Sequence, residues 1–307
     1  MEVPGLAAHR SVLHCIVAGM LILSAVPLRA DSLDSITVEA QRNRQKLQHD
    51  VDAFVSSAIV KSYTESLMRW DHPVCPLVAG LGRDLGEFAL HRFSDIARAA
   101  HVPLGKETCK PNFIVIVAEH SSTFLKVLWR RKPRLFDTYH GIAPVRRFIE
   151  SSRPIKVWYN AADIDADGGA AFTSALAESA GIGMGTVDYP VHVLQGLGSR
   201  LTRPVVKNIE TAMVIADASQ IKSLNIGQLV DYIALIGLAQ INLDKDLGET
   251  PTILQLFKPS EASPPLEMTS WDRALLLALY STPQMDMMQR SEMETVMLRE
   301  LSRPTAH

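Results

Sequence analysis

Residues 226–241 constrain this chain more than any other stretch. Leu229, Val230, Ile233, Leu235, Ile236, Leu238 and Ala239 fall around nearly the whole circumference of a helix with 3.6 residues per turn. A helix without a polar face must be enclosed on every side, so the pattern predicts a central element with a domain built around it. A bilayer span needs about 20 apolar residues, and this stretch is too short for that role. The chain has 307 residues, 47% of them apolar and 21% charged, which supplies the material for such an enclosure. That composition excludes a disordered or collagen-like chain. With a net charge of −2 the sequence as a whole carries no electrostatic footprint for nucleic acid, and no nucleic-acid partner is expected.

Around this centre the periodicity predicts a few further elements. Val51, Phe54, Val55, Ile59, Val60, Tyr63 and Leu67 repeat at helical spacing over residues 51–68. Trp70, Val74, Leu77 and Val78 form a short strand entered through Pro73 and Pro76. Residues 83–100 are helical, with Leu85, Phe88, Ala89, Phe93, Ile96 and Ala97 on one face, and Pro103 and Gly105 end the helix. The β-branched run at 112–118 reads as a strand buried on both faces. Residues 121–129 form a short helix opened by a serine cap, and residues 155–159 and 211–216 are strands. A Gly-rich irregular stretch fills 163–204. The chain closes with an apolar helix at 271–280 and a Met-rich amphipathic tail at 284–302. Strands and helices are mixed and few, so the expected fold is α+β, a small mixed sheet packed on a few helices. It forms a single domain over 48–307, preceded by a flexible polar segment at 31–47.

The first thirty residues read as a signal peptide. His9 and Arg10 give a basic start, residues 12–28 are apolar apart from His14 and Ser24, and Ala30 precedes the polar Asp31 and Ser32. An apolar run of about 15 residues suits a signal better than a transmembrane span. The expected location is periplasmic or secreted, with no membrane span in the processed chain, and the bulky Leu28 leaves the cleavage site open. Cys15 departs with the signal. Cys75 and Cys109 remain, and two cysteines in an oxidising compartment are most simply a disulfide. The bridge would close a loop of roughly 35 residues and contribute on the order of 3–4 kcal/mol. A zinc site would need two more ligands, and the ten histidines offer no pair at metal spacing. No cofactor is expected.

Two groups of polar residues are candidates for chemistry. Asp163, Asp165 and Asp167 stand at alternate positions before Gly168, as at the start of a calcium loop. Ser174 occupies the position of the usual bidentate Glu, and Ala170 the usual β-branched position, so an acidic surface turn competes with calcium binding. The Gly181–Gly185 run fails the dinucleotide pattern, because Thr186 follows it. No Gly-x-Ser-x-Gly elbow exists. Glu119, His120, Asp217 and Asp231 lie near predicted strand and helix ends, where a carboxylate of raised pKa could perform acid–base catalysis in a hydrolase. The competing role for Asp217 and Asp231 is to cap helices or hold loops.

The order of elements is itself informative. Trp70 with its Pro-Val strand, the following long helix, the strand at 112–118, an edge strand and the buried helix ending in Gly237 and Leu238 resemble the layout of matrixin-type zincin metallopeptidases. Thr252 to Phe257 occupies the place where those proteins turn beneath the metal. Thr269, Ser270, Trp271 and Asp272, with the terminal Leu279 and Tyr280, resemble their closing helix. The resemblance covers about residues 70–281. Family members carry His-Glu-x-x-His-x-x-Gly, with both His on zinc and the Glu as base for the metal-bound water. Placing Gly237 on the family glycine puts Val230 and Ala234 on the two His positions, Asp231 on the Glu, and Gln240 where a third His would fall. The resemblance therefore implies a scaffold without its zinc ligands, leaning away from enzymatic activity. Asp231 is the weak catalytic candidate, and a peptide or an envelope protein is the implied partner.

Overall fold

The structure, a computed structural model, describes residues 31–60, 67–136, 138, 141–165, 205–258, 263–284 and 288–303. The expected signal peptide, the Gly181–Gly185 run, Asp167 and the remainder of the calcium-like loop lie outside the described residues. The chain divides into two compact units, Met1–Asn43 and Arg44–His307.

Four strands make one mixed sheet: β1 (Pro76–Ala79), β2 (Phe113–Ala118), β3 (Ile155–Asp165) and β4 (Val205–Asp217). Their spatial order is β1-β2-β4-β3, with β1, β2 and β4 parallel and β3 antiparallel on the far edge. The side chains of β4 alternate between two cores. Ala212, Val214 and Ala216 join the larger one, while Met213 and Ile215 face the smaller. Both faces of this strand are therefore covered over 212–216, which explains the continuous apolar run there.

Eight α-helices occur among the described residues: α1 (Asp31–Ala58), α2 (Arg83–Ala99), α3 (Ser121–Arg131), α4 (Ala143–Glu150), α5 (Ala218–Ile221), α6 (Ile226–Leu238), α7 (Ser270–Ser281) and α8 (Gln289–Leu301). The fold is α+β, as the sequence predicts. Helices α2, α6 and α7 supply much of the larger core, and α3 and α4 cover the other face of the sheet. Helix α6 is buried from Gly227 to Leu238, Gln228 and Asp231 included. Its start is capped by Asn225, whose side chain accepts the Gly227 N–H. A capping box opens α7, where Thr269 and Asp272 satisfy each other's backbone N–H groups.

Several boundaries differ from the sequence reading. Helix α1 begins at Asp31 rather than near residue 51, so the polar segment 31–47 is helical. Glu, Gln, Arg and Lys are good helix formers, and neither Gly nor Pro interrupts Asp31–Ala58. It ends at Ala58, ten residues before the predicted limit. Strands β3 and β4 extend well beyond their predicted cores as a long antiparallel pair, with a register shift between Asn160 and Ala161. Helix α4 has no counterpart in the sequence reading. Its apolar Val145, Phe148 and Ile149 are too few for a window of 11–18 residues to register. Helix α3 is not opened by a serine cap: His120 holds the cap position, and its own side chain makes no capping bond.

Candidate functional site

The region suggested by the zincin resemblance is the middle of α6 with the segments packed on it. Val230 and Ala234 are buried in the larger core. Asp231, between them in sequence, is fully enclosed. Its Oδ1 accepts from Arg92 Nε at 2.5 Å, and its Oδ2 accepts from Arg92 Nη2 at 2.7 Å and from the Met268 N–H at 2.6 Å. The carboxylate is thus neutralised by a two-pronged guanidinium on α2 and also fastens the segment leading into α7. At the end of α6, Trp70 Nε1 donates to the Gly237 carbonyl at 2.9 Å, and Tyr280 donates its hydroxyl to the Leu238 carbonyl at 2.6 Å.

These residues do not fit a zinc ion. Val and Ala have no lone pair to offer, and both oxygens of Asp231 are already engaged. Among the described residues no group of three His, Cys, Asp or Glu side chains is arranged to hold a metal.

The segment Ile253–Phe257 is a turn of 3-10 helix beneath α6, tied to α7 by one carboxylate. Asp272 accepts from Thr252 Oγ1 at 2.5 Å, from the Ile253 N–H at 2.9 Å, and from the Thr269 N–H and hydroxyl at 2.9 Å each. Burial raises its carboxyl above the ordinary range, against the pull of these bonds. Between this turn, α6 and the start of β3 lies a cavity of about 120 Å³, whose apolar wall includes Ile155, Tyr232, Leu254 and Phe257. Tyr232 and Phe257 meet edge to face, ring centres 5.0 Å apart. Burial pushes the Tyr232 phenol up to about 12, so it remains a neutral hydroxyl near neutral pH.

The other polar candidates are divided between two places. Glu119, His120 and Asp217 come together at the ends of β2 and β4, where Ala118 pairs with Asp217. Asp231 is not part of that group. Asp217 accepts from the Ser121 N–H and hydroxyl at 2.9 and 2.8 Å, and from the Ser219 N–H and hydroxyl at 3.2 and 2.5 Å. Burial alone would raise its pKa. The bonds from Ser219, Ser121 and Gln220 outweigh burial and hold it at about 2. Such a carboxylate is a poor proton acceptor near neutral pH. Glu119 is exposed and pairs with Lys222 at 3.2 Å. Nearby, the buried Lys156 donates to Ser122 Oγ at 2.7 Å and to the Ile149 carbonyl at 3.0 Å. Asp163 lies within β3, its carboxylate 3.2 Å from Lys207 Nζ, and Asp165 ends the same strand.

Cys75 and Cys109 lie at disulfide distance, with Cα atoms 6.0 Å apart. Among the described residues no helix is long and apolar enough to cross a membrane. Sequence reasoning missed Arg92, the partner of Asp231, and Lys156. A lone charge within an apolar segment was the available signal for Lys156, as for Asp231, because a charge carried into a core needs a counter-charge or full hydrogen bonding. No protein-family model matches the chain, nor does any curated protein or solved structure.

Proposed function

We propose that this is a non-enzymatic exported protein, which keeps a metallopeptidase-like scaffold for binding an extended peptide or an envelope partner. The observation that carries the reading is the environment of Asp231: the helix that should present metal donors is packed with aliphatic groups, and its one carboxylate is consumed by Arg92. Metal-assisted hydrolysis needs two or three free N or O donors on one wall. The scaffold half of the proposal draws support from the sheet order, with its antiparallel edge strand, and from the tie between Thr252 and Asp272 beneath α6.

A binding role is supported by two features that adjoin each other. Strand β3 pairs on one side only among the described residues, so its outer edge offers ladder groups to a strand-like peptide. Ile155, its first residue, lines the cavity beside Tyr232 and Phe257, which has room for one apolar side chain. The deciding measurement is the metal content of the full chain purified from a bacterial periplasm without chelators. The expected result is no stoichiometric zinc, and chelator-sensitive zinc at one equivalent would overturn the proposal.

A further inference from the structure

The exposed side of the α3–α4 layer carries a concentration of cations. Lys126, Arg130, Arg131, Lys132, Arg134, Arg146 and Arg147 are all exposed. None of these seven cations has a carboxylate within ion-pair distance among the described residues; Arg83, Arg92, Arg98, Arg153 and Arg290 each have at least one, while Lys106, Lys110 and Lys245 also have none but are not clustered. Sequence positions 121–150 hold only two acidic residues, Asp137 and Glu150. The net charge of −2 for the whole chain therefore conceals a basic face balanced by an acidic remainder. Clustering cations with few carboxylates among them costs self-repulsion and returns nothing to the fold, which makes sense where an anionic partner arrives.

The same face exposes aliphatic side chains. Ile142 is 56% exposed, Leu135 44% and Val127 37%. Their neighbours Leu125, Phe136, Val145 and Phe148 are buried beneath them and anchor the layer to the sheet. Aliphatic tips between cations match a lipid surface, where the charges meet headgroups and the apolar groups enter the interface. A single-stranded nucleic acid would instead call for exposed aromatic rings on which bases stack. Here Phe136 and Phe148 are buried, and Trp129 and Trp158 pack edge to face or tilted against them.

We infer that the α3–α4 face is a docking surface for an anionic phospholipid membrane, with Lys126, Arg130, Arg131, Lys132, Arg134, Arg146 and Arg147 meeting the headgroups and Val127, Leu135 and Ile142 entering the interface. This rests on the charge pattern and not on the peptide-binding proposal, so either can fail alone.

The test is co-sedimentation of the full chain with vesicles of phosphatidylcholine alone, or with about 30 mol % phosphatidylglycerol added. Any contribution from the apolar N-terminal stretch is common to both vesicles and to all variants. The expected result is preferential binding to the anionic vesicles at about 0.1 M salt, lost near 0.5 M. Replacing Arg130→Glu together with Arg131→Glu should weaken that binding by about 30-fold or more, since each basic residue near such a surface is worth roughly fivefold. Ile142→Ser should weaken vesicle binding while leaving binding to duplex DNA unchanged. Unchanged melting temperatures of these surface variants confirm that they fold. Equal binding to both vesicles, no binding to the anionic ones, or a DNA affinity that exceeds vesicle binding and ignores Ile142→Ser would each overturn the assignment.

Discussion

Arg92 on α2 and Asp231 on α6 form a two-pronged ion pair, with Nε and Nη2 at 2.5 and 2.7 Å from the two carboxylate oxygens. The pair joins two helices that both feed the larger core, through Phe93 and Ala97 on α2 and Leu229 and Val230 on α6. Asp231 is fully enclosed, while the Arg92 side chain keeps about a third of its surface in solvent. Removing only the cation strands a buried anion. Arg92→Met should therefore destabilise the fold by about 3–5 kcal/mol, whereas Arg92→Met with Asp231→Leu should cost far less. Urea unfolding of the two single variants and the double variant measures the coupling directly. Additive losses would show that the two groups act separately.

Asp217 predicts an acid-sensitive contribution to stability. Its folded pKa of about 2 lies below the ordinary value near 3.9. A depressed carboxylate stabilises the folded state above the unfolded pKa, and this contribution is lost as pH falls through the folded pKa. The loss should run from about pH 4 to about pH 2 and amount to at most about 2.5 kcal/mol, less whatever solvent screening removes. Asp217→Asn should lower stability at pH 7 and flatten the profile across that window. Ser121→Ala, which removes one of these bonds, should do so in part. Unfolding curves from pH 7 down to pH 2 give the answer, and a variant profile parallel to that of the unaltered chain would count against this role.

The larger elements were legible because their side-chain periods are strong. The circumferential apolar pattern of 226–241 placed α6 at the centre, and the run at 112–118 marked strand β2, of which only Phe113 and Val115 are buried while the other residues are half-buried. The α+β class followed from their mixture. Helix α4 escaped because one short turn pair with Val145, Phe148 and Ile149 carries too little periodicity to separate from a loop. The start of α3 was misread because the donor groups of Ser121 are satisfied by Asp217, 96 residues away, and local sequence holds no trace of that partner. Arg92 was invisible as the mate of Asp231 for the same reason. The basic face was present in the text of residues 126–147 but vanished in the net charge, because averaging over the chain sets those cations against distant carboxylates.

Gly237 offers a test of close packing in which the usual sign is reversed. In an exposed helix Gly→Ala stabilises by about 1 kcal/mol. Here a Cβ would stand 2.3 and 2.5 Å from two ring carbons of Phe113, whose ring is stacked on Phe93 at 4.6 Å and cannot retreat freely. Gly237→Ala should therefore destabilise by about 1–3 kcal/mol. In a Phe113→Leu background the penalty should fall to less than about 1 kcal/mol, because the obstructing ring is gone. A stabilising Gly237→Ala would mean that the helix and strand stand farther apart than described.

The Cys75–Cys109 pair fastens the entry to β1 against the loop before β2. The Cys75 N–H donates to Asn112 Oδ1 at 2.7 Å, and the Cys75 carbonyl accepts from the Asn112 and Phe113 N–H groups. Replacing both cysteines by serine should cost about 2–4 kcal/mol, as expected for a bridge across 34 positions. Gly105 provides the independent control. A Cβ at that position would lie 2.4 Å from the Cys75 sulfur and 2.5 Å from the Cys109 sulfur, so the bridge and an alanine cannot share the space. Gly105→Ala should destabilise the bridged chain by about 1–3 kcal/mol, whereas after removal of both sulfurs its cost should nearly disappear. Urea midpoints of the four chains, measured without reductant, give this coupling. Equal effects of Gly105→Ala in both backgrounds would place the two sulfurs elsewhere.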